Sequence, residues 1–108
     1  MSTKTKTYNF PECTIDETFE GVEFQLIVNG VPKNLTGAII NMIITAGDVI
    51  IFSTTSGELV VTDAINARFT VKKQIITLPV GTNSYRMKFI FPNGDVKTYI
   101  KGTWPILQ

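Results

Sequence analysis

Histidine is absent from the 108 residues, and cysteine occurs once, at Cys13. The first absence removes the usual general base and the commonest metal ligand. The second excludes an internal disulfide and leaves the thiol without the imidazole partner that a nucleophile needs. A lone cysteine fits a reducing compartment, or a fold that manages without a bridge. Charge is sparse as well: charged residues are 18% of the chain, against roughly 25% in ordinary soluble domains. Either the surface is lean or part of it is covered by another protein. No apolar run approaches the ~20 residues of a membrane-spanning helix; Ala38 to Ile44 is interrupted by Asn41. The start, MSTKTKTYNF, lacks the apolar core of a signal peptide, which points to synthesis in the cytosol. Glycines fall singly at turns and build no phosphate cradle. Glu12, Asp16, Glu17, Glu20 and Glu23 do not follow the spacing of a Ca²⁺ loop, so a solvated acidic rim is expected there. The chain therefore reads as a non-enzyme with no cofactor and no metal.

What is present is the punctuation of an all-β domain. Short stretches of alternating hydrophobicity recur every ten or so residues, separated by Gly, Asn, Asp and Pro, and no stretch sustains a helical period. That pattern predicts one sandwich or barrel over residues 13–108, preceded by a polar arm over 1–12 in which residues 1–6 are frayed or extended and Thr7 to Phe10 offers a short first strand ended by Pro11. Val22, Phe24, Leu26 and Val28 share one side of a strand that runs into a tight Asn29-Gly30 turn. Ala38, Ile40, Met42 and Ile44 share a face of the next, and Ile39 and Ile43 make its other face apolar too, as for a strand that is either central or covered on both sides. Phe69 and Val71 point inward from a later strand, and Gly81 and Asn83 set up a corner before the last two.

Tyr85 to Trp104 reads as a long hairpin closed by a two-residue type I′ turn at Asn93-Gly94. The implied register sets Phe91 opposite Val96, Phe89 opposite Thr98, Met87 opposite Ile100 and Tyr85 opposite Gly102, all on one face. Arg86, Lys88, Lys97, Tyr99 and Lys101 then form a cationic face, the candidate interface. Tyr85 has the placement of a tyrosine corner, its hydroxyl bonded to upstream backbone. Gly102 leaves room for the ring or seats a bulge, and Trp104 closes the end of the sandwich or serves as an exposed anchor for a partner. Charge is uneven along the chain: residues 1–11 carry +2, 12–63 carry −7 and 64–108 carry +6. The strands of a sandwich interleave, so the split can vanish in space; if it survives, it gives an acidic and a basic patch suited to head-to-tail contact. Nucleic-acid binding does not fit a near-neutral domain with Tyr99 as the sole stacking aromatic on its basic face.

Several of these positions in order resemble a known pattern. Asp16-Glu17-Thr18-Phe19-Glu20-Gly21, Phe24-Gln25-Leu26, Asn29-Gly30-Val31-Pro32, Leu35-Thr36-Gly37-Ala38 and Ile40-Asn41-Met42-Ile43-Ile44 come first. Leu78-Pro79-Val80-Gly81, Tyr85 and Gly94…Thr98-Tyr99-Ile100-Lys101-Gly102 follow. The order is similar to the immunoglobulin-like domain at the N-terminus of phage upper baseplate proteins and related short phage and prophage proteins, over about residues 16 to 106. It departs in having Arg86-Met87 after Tyr85, an added N-terminal arm, and an end just past the last strand with no stalk. The resemblance implies an immunoglobulin-like antiparallel β-sandwich of about 7–9 strands. It also implies a virion structural or assembly module of tail, baseplate or neck, made in the bacterial cytoplasm and working through copies of itself or another virion protein. The alternative is an adhesion module for glycans or a host protein, with Tyr8, Tyr99 and Trp104 as its aromatic supply.

Overall fold

The computed structural model describes residues 5–108. Their strands are β1 (Lys6–Thr7), β2 (Cys13–Thr14), β3 (Thr18–Phe19), β4 (Val22–Gln25), β5 (Ile27–Val28), β6 (Val31–Pro32) and β7 (Ile39–Ala46), followed by β8 (Asp48–Ser53), β9 (Leu59–Asp63), β10 (Arg68–Val71), β11 (Gln74–Ile75), β12 (Gly81–Ile90) and β13 (Val96–Leu107). Seven have four or more residues, and the other six are two-residue ladders. No helix forms among the described residues, in keeping with a sequence that carries no 3.6-residue period. The fold is an all-β sandwich.

One layer is a six-stranded sheet in the order β1-β13-β12-β7-β8, with β2 also on β13; the other is β4-β10-β9. Phe69 of β10 meets Phe89 of β12 edge-on, ring centres 5.6 Å apart, and stacks on Phe24 of β4 at 5.2 Å. Between the layers Ile40, Met42, Ile44, Phe69, Val71, Met87, Phe89 and Trp104 are fully buried. Each is one half of an alternating strand, which is why period two in the sequence becomes one oily face per sheet. β13 spans about 40 Å at ~3.3 Å per residue, the full long dimension of the 40 × 26 × 22 Å molecule.

The sheet is not wholly antiparallel. β1 and β2 run parallel to β13, with Lys6 beside Ile100 and Cys13 beside Ile106. Between them the Tyr8 and Phe10 amides donate to the carbonyls of Lys101 and Thr103, at 2.9 and 2.8 Å. Phe10 is 2% exposed and stacks on Trp104, centroids 4.2 Å apart. A first strand is present close to the expected Thr7 to Phe10, with β1 at Lys6–Thr7, but the polar arm of residues 1–12 is corrected from Thr5 onward, since it packs into the sandwich. Its Tyr and Phe supply apolar area and its backbone supplies the donors β13 would otherwise lack. The first four residues of that arm lie outside the described residues.

The closing hairpin is longer than expected and differs in register near its tip. Gly81 and Asn83 are not a corner but the start of β12, and the Asn83 side-chain Nδ2 donates to the Pro79 carbonyl at 3.0 Å. At the tip the Gly94 amide donates to the Phe91 carbonyl and the Phe91 amide to Asp95, both at 2.9 Å. Gly94 has φ 93° and Asn93 is not in the left-handed region. This is a type I turn followed by a left-handed glycine, a three-residue loop in place of the two-residue type I′ turn. Pro92 is the cause. In a two-residue turn it would have to pair with Asp95, and it has no N–H to give; at the second position of a type I turn its fixed φ is an advantage.

The longer loop shifts pairing by one, so Phe89 lies opposite Lys97 and Ile90 opposite Val96, rather than Phe89–Thr98 and Phe91–Val96. A bulge between Met87 and Lys88 absorbs the shift through the extra residue Tyr99, and Met87–Ile100 and Tyr85–Gly102 then pair as expected. Two placements change as a result. Tyr99 is 5% exposed, among Phe89 and Phe91, and Val96 is 53% exposed.

A candidate interaction face

Because cross-strand partners share a face, the register of the large sheet fixes what its outer side presents. Ile51 lies beside Ile43, Ile43 beside Arg86 and Arg86 beside Lys101, one row across β8, β7, β12 and β13. A neighbouring row runs Val49, Thr45, Ser84, Thr103, and on the other flank Lys88 pairs with Asn41 and with Thr98. Nothing covers this side in the described residues: Val49, Ile51 and Ile39 are 63%, 54% and 40% exposed. Of the two alternatives expected for β7, it is central, between β12 and β8, and its outer face is open.

Of the five candidate interface residues, Arg86, Lys88 and Lys101 come together on this face. Tyr99 is in the core, removed by the bulge, and Lys97 is exposed but pairs with inward-facing Phe89 near the tip. The three cations make no ion pair among the described residues, where the salt bridge found is Lys73 to Glu20 at 3.6 Å between exposed groups. No outer-face position of β7, β8, β12 or β13 holds a carboxylate. The apolar half, Val49, Ile51 and Ile39, was missed because its residues looked like core. Period two marks two faces but does not say which of two apolar faces is left bare.

The structural residues behave as a unit. The Tyr85 hydroxyl donates a hydrogen bond to the backbone carbonyl of Tyr8. It does reach upstream backbone, as expected, but across to the N-terminal segment rather than within a corner. Gly102 is bare for the same reason: a Cβ there would lie 2.7 Å from the Tyr8 carbonyl carbon. The Asn9 side-chain oxygen accepts from the Thr103 amide at 3.1 Å. Burial pushes the Tyr85 phenol well above its ordinary value of 10, with the Tyr8 phenol adding to it. Trp104 is fully buried, so its exposed-anchor reading is excluded; its indole N–H donates to the Cys13 sulfur at 3.4 Å. With Trp104 and Tyr99 in the core and Tyr8 half-buried, the aromatics expected to stack on a sugar are not at the surface.

The five carboxylates of the expected acidic rim are all exposed, and three of them gather; Asp16 and Glu23 stand apart. Glu12, Glu17 and Glu20, with Cys13 and Phe19, line an open depression of about 360 Å³ at the C-terminal end of β13. Among the described residues, no three His, Cys, Asp or Glu side chains are placed to hold a metal ion. Compared with known proteins, the chain matches no family model, no curated protein and no solved structure.

Proposed function

We propose that this chain is a non-catalytic assembly module of a phage or prophage virion, in the tail, baseplate or neck, with an immunoglobulin-like arrangement of its strands. It works in the virion through contacts with copies of itself or another virion protein. Support for the arrangement is the strand order. β4-β10-β9 opposes β13-β12-β7-β8, and an N-terminal strand is added parallel to the last one, which parallels the two sheets of a variable-type immunoglobulin domain. The resemblance to upper baseplate N-terminal domains adds the virion context.

The observation that carries the role is the outer face of the large sheet. It sets Arg86, Lys88 and Lys101 beside exposed Ile39, Val49 and Ile51 with no carboxylate among them. An uncovered apolar area rimmed by charge of one sign is what a docking surface for an acidic protein partner requires. The test is physical association. Particles purified from an induced culture of the strain carrying the gene should contain the chain by mass spectrometry. Recovery only in the particle-free lysate overturns the proposal.

A further inference from the structure

A sheet edge is a row of unpaired N–H and C=O groups, and proteins guard such edges with proline, lysine, bulges or very short strands. The described edges of this sandwich are guarded unequally. On the β13 side, β1 and β2 are two-residue ladders separated by Pro11. In the small sheet, β4 has four residues and carries Glu23, and β9 has five, starting just after Glu58 and ending at Asp63. β8 is different. It has six residues, pairs with β7 without a register shift, and contains no proline or lysine; its one charge, Asp48, is at one end. At the other end the Glu58 carboxylate accepts, of the β8 amides, only that of Ser53, leaving Val49 and Ile51 open. Its outward side chains, Val49 and Ile51, are 63% and 54% exposed, against 39% for Val60 on β9.

We propose that β8 is the contact between two copies of this chain, pairing antiparallel with β8 of a second molecule about a twofold axis so that the two six-stranded sheets become one. The inference deepens the assembly reading and rests on it for its biological use. A second copy, rather than an unlike protein, is the occupant that the strand itself describes. Paired residues must share a face, so a twofold centred on Ile50 sets Val49 of each chain against Ile51 of the other. Two such pairs set the most exposed apolar side chains of the face in lateral contact and leave the outer face itself open. The cations of β12 do not oppose the contact. β12, with Arg86 and Lys88, is two strands in from β8. At ~4.8 Å per strand the two β12 strands stand about 24 Å apart in the dimer, several times the ~8 Å screening length at physiological salt. The cationic stripes remain open, one on each side, for a further acidic partner.

Sedimentation velocity on the purified full chain, from micromolar to near-millimolar, is the test. Wild type should pass from monomer to dimer, and Val49→Lys and Ile51→Glu should each raise the dimer dissociation constant roughly tenfold or more. Mixing the two variants should restore dimerisation, because the new Lys and Glu then face each other. Thr62→Lys on the β9 edge should change nothing. Slowing of β8 amide exchange as concentration rises reads the same contact without a substitution. A monomer throughout, a dimer indifferent to both β8 variants, or one broken by Thr62→Lys overturns the proposal. The result separates from the assembly reading: a monomer still found in particles removes only the twofold contact, and a dimer never found there removes only the virion role.

Discussion

Three residues far apart in sequence, Tyr8, Tyr85 and Gly102, share one point of contact, and that point ties the N-terminal segment to the sheet. The Tyr8 carbonyl sits where a side chain at 102 would be and accepts from the Tyr85 hydroxyl. Tyr85→Phe leaves that buried carbonyl one partner short and should cost about 1–3 kcal/mol in urea unfolding at neutral pH. It should also change the alkaline limb. The Tyr85 phenol is held above its ordinary value of 10 in the fold, so above that pH the unfolded chain ionises first. Stability fully present below pH 10 is lost as pH rises beyond it. Tyr99, raised by burial and by the Asp95 charge, acts in the same direction. Tyr85→Phe should therefore flatten the loss seen above pH 10 without abolishing it. Gly102→Ala pushes a methyl into backbone that has no free rotamer to yield, and should cost about 1–3 kcal/mol. Faster exchange of the Tyr8 and Phe10 amides would locate the damage.

At the scale of elements, the N-terminal segment is part of the core. Phe10→Ala should cost about 3–5 kcal/mol, read as a lower urea midpoint, because the ring is buried against Trp104, Tyr85, Phe19 and Phe24. A loss near zero would mean that this segment adds nothing to the core. Its strand at Thr7 to Phe10 was legible from the alternating Tyr8 and Phe10 and the stop at Pro11, but its partner was not, because nothing local tells that it will lie along a strand ninety positions later. The hairpins show the same limit more finely. Asn29-Gly30 forms the type I′ turn its letters suggest, with φ 54° and 81° and Val28 paired to Val31. Asn93-Gly94 does not, because Pro92 cannot take the ladder position that such a turn would give it. The alternation of β7, β10 and β12, their inward residues and the Tyr85–Gly102 and Met87–Ile100 pairs were legible from period two alone. The bulge at Tyr99 was not, since it exists to cancel a loop whose length depends on one missing N–H.

Over the whole molecule, the uneven charge of the chain partly survives folding. The acidic segment gathers around the end of β13, with Lys73 drawn in beside Glu20, and Arg86, Lys88 and Lys101 stand in the open on the large sheet. If that face docks an acidic partner in a particle, its cations act together, and the correction to the hairpin register decides which of them count. Lys97 belongs to the other side of the ribbon. Reversing Arg86, Lys88 and Lys101 together to Glu should cut recovery of the chain with particles about fivefold or more, at the ~0.2–1 kcal/mol expected of each exposed charge contact. It should also reduce the dependence of that recovery on salt, since fewer screened attractions remain to be lost. Lys97→Glu should leave both unchanged. Co-sedimentation with purified particles at low and high salt makes the comparison within one preparation, and a larger effect from Lys97 than from the three together would move the docking surface off this face.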